Sequence, residues 1–371
     1  MTSAFILAGE ASGDRIGAEL IAGLRKRADI RFSGVGGEAM TRQGLDSLFP
    51  IDDLAVMGYA DVIARLPLLL WRARQVVRFI ERNRPDIVIL IDAQVFSQVV
   101  ASRLRKHGYR GRIFLYVAPA VWAWKPERAK KIASLYDEVF SVLPFEPQAM
   151  QRLAGPPTVY VGHPALARFP FRTYQPERGP LLLLPGSRRG ELRRHLPLMR
   201  ELATGLSQHP AITRFVIPTL SSLHAKLVRE VAEWPADVEV VSSETARLQA
   251  LSEAVAAFAV SGTATLELAL AGVPHILTYV AEPAQVRMFE KADTNHIGLP
   301  NIIAGREVTP EILFVKKGDP ARAKAAIEQL LDDTAARAGQ VAAFAAIRTL
   351  MEKGAPEAPL HDPVERILSY L

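Results

Sequence analysis

Strand-length apolar runs alternate with helix-patterned stretches along most of this chain, in two successive series. The first series is residues 4–8, Ile87–Ile91, 113–117, 139–143 and 159–161, with helical stretches at 15–27, 66–82 and 96–106. The second is 181–184, 215–217, Val238–Val241, 256–260 and 275–279. Such alternation argues for parallel sheets wrapped on both faces. At 371 residues the chain is too long for one ordinary core, so two α/β domains are expected. Residues 164–180 are rich in proline and arginine and lack periodicity, and read as a linker. The expected division is 1–165, 178–345 and a helical tail, 346–371, whose last stretch packs back on an N-terminal domain. That domain is its own or that of a partner in a homodimer.

Composition narrows the function classes. Hydrophobic residues at 49% and charged residues at 23% mark a globular chain. With no cysteine there is no disulfide framework and no thiolate chemistry, which suits a reducing cytoplasm. No basic leader with a cleavage site opens the chain, and no apolar stretch reaches the ~20 residues that span a bilayer. The net charge of +6 favours anionic partners: nucleic acid, phosphorylated substrates or an anionic membrane surface. No nucleic-acid motif accompanies that charge.

In open α/β sheets, ligands bind outside the carboxyl ends of strands, near helix N-termini. Here the first such junction stops at Gly9 and carries Glu10, Ser12 and Asp14. Those carboxylates would repel the pyrophosphate of a dinucleotide and suit neutral hydroxyls or an ammonium, such as a sugar. Ser12 and Asp14 would equally serve as plain helix caps. A later apolar strand ends in Asp92, where an apolar setting would raise the carboxyl toward general-base use. The alternative for Asp92 is a cap on the helix beginning near Gln94.

The second half has its own junctions. Strand 256–260 runs into Ser261, Gly262, Thr263, Ala264 and Thr265, with Glu267 in the first turn. Gly262 admits a ligand to the backbone, free N–H groups and Thr hydroxyls suit a diphosphate, and Glu267 suits ribose hydroxyls. A capping box accounts for the same residues. Strand 181–184 leads into Ser187, Arg188 and Glu191; Arg188 is fit for a bidentate clamp on a phosphate. Two Rossmann-like domains with parallel sheets facing a cleft give the expected fold class, α/β of the GT-B arrangement.

A helical projection of 66–84 places Leu66, Leu69, Leu70, Ala73, Val76, Val77 and Ile80 on one core-facing stripe. The opposite face carries Leu68, Trp71 and Phe79 among Arg72, Arg74, Arg78 and Arg82. Apolar plugs among arginines suit an anionic bilayer interface, at ~1 kcal/mol per basic residue. Aromatics covered by a loop are the competing reading.

With these residues in place, the chain resembles the lipid-A-disaccharide synthases, inverting GT-B glycosyltransferases. The resemblance rests on AGEASGD (8–14), GVGG (34–37), LAVMG (54–58), the strand into Asp92, PAVWAW (119–124), LPFE (143–146), VGHP (161–164), LLPGSR (183–188), SGTATLE (261–267) and LPNIIAGRE (299–307). It implies transfer of 2,3-diacylglucosamine from UDP to 2,3-diacylglucosamine 1-phosphate at the cytoplasmic face of the inner membrane. Neither metal nor cofactor is implied, since the UDP-sugar is a substrate. The resemblance makes Asp92 the base, assigns Arg188, Glu267, Asn301 and the Thr263 turn to UDP, and puts Glu10, Asp14 and Trp122 in the sugar cleft. Departures from the family pattern fall at Gln94, Val95, Ser97, Ala118, Ala120 and Phe314, and residues 279–283 lack a basic side chain. A paralogue with another acyl-sugar acceptor, a catalytically weak UDP-sugar-binding protein and a UDP-sugar epimerase are the alternatives.

Overall fold

The computed structural model describes residues 2–54, 59–260, 262–283, 285–286 and 295–371, with the backbone alone for 59–63. It contains two compact units, Met1–Pro164 with Lys353–Leu371, and Ala165–Glu352. The first unit holds β1 (Thr2–Ala8), β2 (Ile30–Val35), β3 (Ile87–Ile91), β4 (Arg112–Tyr116), β5 (Glu138–Ser141) and β6 (Thr158–Tyr160). They pair in the order β2-β1-β3-β4-β5-β6, every pair parallel. The second unit holds β7 (Gly179–Leu184), β8 (Ile212–Pro218), β9 (Val238–Val241), β10 (Ala256–Ala259), β11 (His275–Ala281) and β12 (Glu311–Val315). Their order is β12-β11-β10-β7-β8-β9, again parallel throughout.

Central strands bury both faces. All five residues of β3, Ile-Val-Ile-Leu-Ile, are buried, as a sheet covered by helices on each side requires. The edge strands differ: β12 exposes Leu313 and Val315 at alternate positions, and β2, Ile-Arg-Phe-Ser-Gly-Val, exposes Arg31 and has its apolar run broken by polar residues. One face of the first sheet packs Phe5, Leu7, Val88, Leu90, Ile113 and Leu115 against Val76, Val77, Ile80 and Leu104 of the covering helices.

Residues 164–180 are bound to the second unit along much of their length. Arg172 donates to the carbonyls of Leu251, Ala254 and Gly272 at 3.3, 2.6 and 3.1 Å. The return to the first unit comes at Lys353, later than position 346, because helix Thr334–Lys353 is tied to the second unit. Gln340 brackets His275 with two backbone bonds of 2.6 and 2.9 Å, and Arg348 donates to the carbonyls of Phe169 and Leu270. Beyond it, helix Pro363–Leu368 sits on the first unit. Arg366 forks onto the buried Glu138 at 2.8 and 2.6 Å, and Arg27 reaches Asp362 at 2.9 Å.

In each sheet the strand order reverses direction once, between β1 and β3 in the first and between β7 and β10 in the second. Loops leaving such a pair part to opposite faces and open a crevice at the strand ends.

Candidate active site

At the first reversal, Gly9-Glu10 leaves β1 and Asp92-Ala93 leaves β3. A Cβ on Gly9 would lie 2.5 Å from the Ala93 Cβ, so only glycine lets the two turns meet. Asp92 and Ala93 adopt φ of 51° and 43°, left-handed conformations that cost non-glycine residues ~1–3 kcal/mol each. Hydrogen bonds hold them there: Asp92 N–H to Tyr116 O at 2.8 Å, and Ser97 Oγ to Asp92 O at 2.7 Å. Gln94 Nε2 pins the neighbouring Val117 carbonyl, itself at φ 75°, at 2.9 Å. The changes at Gln94 and Ser97 thus supply bonds that fix the Asp92 turn.

Helix Gln94–Lys106 is capped by Ala93 with no side-chain bond, so the Asp92 carboxylate is not spent as a cap. Burial raises its pKa above the usual aspartate value; the Glu10 charge adds to the rise, and bonds from Gln94 and the Ala93 N–H oppose it. A half-buried carboxyl of raised pKa, beside a second carboxylate, can take a proton from an alcohol. Glu10 is exposed and accepts from Ser12 Oγ at 2.6 Å. From Asp92 a groove of about 350 Å³ continues along Leu54, Leu66, Leu69, Leu70, Ala73, Phe96 and Val99.

Two other residues expected in the sugar cleft have different surroundings. Asp14 is buried, and its carboxylate accepts from the N–H groups of Gly37, Ala39 and Met40 at 2.7, 2.8 and 3.1 Å. It anchors the start of helix Glu38–Arg42, which corrects its reading as a sugar contact and as a cap on its own helix. Trp122 is half-buried, packs edge-on against Phe145 at 5.0 Å and donates Nε1–H to Glu146 at 3.2 Å. Glu146 had no role assigned from sequence. Burial pushes its carboxyl up to about 7, against donors at Trp122, Leu143 and Val142 that pull it down.

In the second unit, the loop after β7 turns at Gly186, φ 89°, where a Cβ would strike the Glu191 carboxylate. Glu191 accepts from the N–H groups of Ser187 and Arg188, both at 3.1 Å, and from the Arg188 guanidinium at 2.9 Å. This is a capping box for helix Arg189–Leu206. Glu191 therefore positions the loop, a correction to its reading as a ligand contact. The Arg188 side chain stays 85% exposed, leaving most of its donors free for an anion.

The adjacent loop follows β10. Gly262 has φ 112° and ψ −164°, a region open only to glycine, and nothing lies within 4 Å of where its Cβ would be. Helix Thr263–Leu270 starts there without a side-chain cap from Gly262, and the first N–H groups of a helix, here at Thr263 and Ala264, have no partner within the helix itself. Thr265 is buried and its Oγ1 donates to Gly262 O at 2.9 Å; it braces the turn and offers no hydroxyl to a ligand, correcting the expectation. Ser261 lies outside the described residues, as does all of the LAVMG segment except Leu54. Glu267 is half-buried, two residues past the capping-box position. Burial raises its pKa, while Arg247, 3.5 Å away, and Arg168 lower it.

Asn301 is fully buried with every polar valence filled. Its Nδ2 donates to Thr309 O and Glu311 Oε1 at 2.7 Å each, and its Oδ1 accepts from Val308 and Thr309 N–H at 2.8 Å each. No bond is left for UDP, so Asn301 is a scaffold residue, and this too corrects the sequence expectation. Its neighbour Glu311 also accepts from Ile297 and Gly298 N–H at 2.9 Å each.

Helix Tyr59–Asn83 divides differently from its projection. Ala73, Val76, Val77 and Ile80 are core, but Leu66 and Leu70 are exposed and line the groove. Phe79 packs on the core and against Phe5 at 5.7 Å, so it does not face a membrane. Arg72 is tied to Asp53 at 2.5 Å and lies over the rings of Phe49 and Trp71; Leu68 is half-buried. The exposed set is Leu66, Leu70, Trp71, Arg74, Arg78 and Arg82. Among the described residues, no helix is long and apolar enough to cross a membrane.

Comparison with known proteins agrees with this architecture. A family model described as lipid-A-disaccharide synthetase matches residues 4–359. The lipid-A-disaccharide synthase of Nitrobacter hamburgensis is 38% identical over 373 aligned positions, covering 98% of this chain and 93% of the relative. That of Rhodopseudomonas palustris is 40% identical, covering 95% and 91%. In structure, the UDP-GlcNAc 2-epimerase of Neisseria meningitidis, solved with UDP-GlcNAc, superposes with a TM-score of 0.60 at 11% identity, covering 100% of this chain and 98% of the other. At that identity the likeness speaks for the shared GT-B fold alone.

Proposed function

The chain belongs to the lipid-A-disaccharide synthetase family, a glycosyltransferase family, and from that membership we propose how its residues divide the work. The donor is UDP-2,3-diacylglucosamine and the acceptor 2,3-diacylglucosamine 1-phosphate. Asp92 removes the proton from the acceptor hydroxyl as its oxygen forms the new bond to the donor's anomeric carbon. The bond from that carbon to the diphosphate oxygen breaks, and UDP departs with the electron pair. The anomeric centre inverts, because the hydroxyl attacks opposite the leaving group.

What supports this reading most is the Asp92 turn: two strained residues hold a carboxyl of raised pKa at the end of a buried strand, uncommitted to any cap. In the second unit, Arg188 and the N–H groups of Thr263 and Ala264 offset the charge of the leaving diphosphate. Glu267 takes hydroxyls of the ribose. This set neutralises the diphosphate with fixed protein groups, so the transfer runs without metal or cofactor. Leu66, Leu70 and Trp71, flanked by Arg74, Arg78 and Arg82, rest the protein on the anionic inner face of the inner membrane.

The test is mass spectrometry of the purified protein incubated with the two acylated glucosamines. Lipid A disaccharide 1-phosphate and UDP in equal amounts are expected, with no loss on adding EDTA. Interconversion of UDP-sugars without an acceptor, or no disaccharide at all, would overturn the assignment.

A further inference from the structure

The groove that starts at Asp92 is built of two chemistries. Within its volume of about 350 Å³, Glu10, Asp92 and Gln94 stand at the head, and among the other described lining residues Leu54, Leu69, Ala73, Phe96 and Val99 present hydrocarbon. Its rim is apolar as well: Leu66, Leu70 and Val95 are 47%, 37% and 71% exposed. Contiguous apolar surface open to water on a folded unit marks a ligand site. A peptide backbone or a nucleobase laid there would lose its hydrogen bonds to water and find none in return. A hydrocarbon chain loses nothing and gains burial.

We propose that this groove seats one acyl chain of the acceptor, and that Leu69, Ala73, Phe96 and Val99 set the chain length it accepts. The inference rests on the synthase reading above. Asp92 fixes whose chain it is: the hydroxyl at the head and the chain in the groove must belong to one molecule, and the hydroxyl that meets the base is the acceptor's. The exposed rim adds a route. A chain passes from the bilayer over Leu66, Leu70 and Val95 into the groove without crossing water. Val95, one of the departures from the family pattern, lies on this path.

Two series of substrates test this, one varying the acceptor's chains and one the donor's. For the unaltered protein, kcat/KM is expected to rise about fourfold per added acceptor methylene until the groove is full, then level off. Leu69→Trp and Val99→Phe fill the groove, so each should lower the ratio of long-chain to short-chain acceptor use at least tenfold and leave the donor ratio within twofold. A flat acceptor profile, an effect that follows the donor series, or unchanged ratios in variants that unfold at the usual temperature would overturn the proposal. Binding gives a second readout without turnover: an acceptor with short brominated chains, which the narrowed groove still admits, should quench the tryptophan introduced by Leu69→Trp. Quenching without disaccharide formation removes the synthase reading and keeps the groove. Disaccharide formation without quenching removes the groove and keeps the synthase.

Discussion

The two strand-order reversals share a topology and have opposite electrostatics. At β1/β3 the turns carry Glu10 and Asp92, and the strain sits on non-glycine residues that lock a carboxyl beside an apolar groove. At β7/β10 the positive φ angles fall on Gly186 and Gly262, which take them without strain, the exposed charge is Arg188, and a helix begins without a side-chain cap. Even the acids differ. Glu191 is turned inward to hold its own loop, whereas Asp92 is left uncommitted by its helix. One crevice is equipped to take a proton and the other to hold an anion; the same backbone plan serves both because the specialisation lies in a few residues at the strand ends.

That contrast breaks most visibly at Asp92. Asp92→Asn keeps the size and the turn but loses the base, and kcat should fall by ~10²–10⁴ in a UDP-release assay. Next in size, Asn301→Ala strands buried donors and acceptors at Val308, Thr309 and Glu311. We expect a loss of ~2–4 kcal/mol in denaturant unfolding, with UDP affinity unchanged in the folded fraction. A specific loss of UDP binding would return Asn301 to the nucleotide site. Gly262→Ala forces a side chain into glycine-only backbone, and the donor KM should rise about tenfold as the turn shifts. The smallest effect is at Glu10. Ionised Asp92 is the active form and its pKa is raised, so activity falls as pH drops through that raised value. Glu10→Gln removes the second cause of the rise, so the acid limb of kcat/KM should move to lower pH.

Much of this was legible before the structure. Continuous apolar runs such as Ile-Val-Ile-Leu-Ile mark central strands without ambiguity, and Asp92 and Arg188 follow from their places at strand ends. Edge strand β2 was hidden because Arg31 and Ser33 break its run of apolar residues, whereas β12 carries a continuous Ile-Leu-Phe-Val that was legible as a strand. Asp14, Glu191, Thr265 and Asn301 show another limit. A polar residue in a signature stretch reads the same whether it faces a ligand or holds the backbone that does, and here all four hold backbone. Phe79 and Arg72 misled for a related reason: a helical projection treats 66–84 as one regular face. In the structure the core begins at Ala73, the first turns line a groove, and Asp53 with Phe49 comes in from outside the helix to take Arg72.

The division of labour between the two crevices is tested most directly by calorimetric titration of UDP into the protein, Asp92→Asn and Arg188→Ala. Asp92→Asn should bind UDP as tightly as the unaltered chain, and Arg188→Ala about tenfold or more weakly, the worth of a charged hydrogen bond. Lost binding in Asp92→Asn together with full affinity in Arg188→Ala would contradict the account.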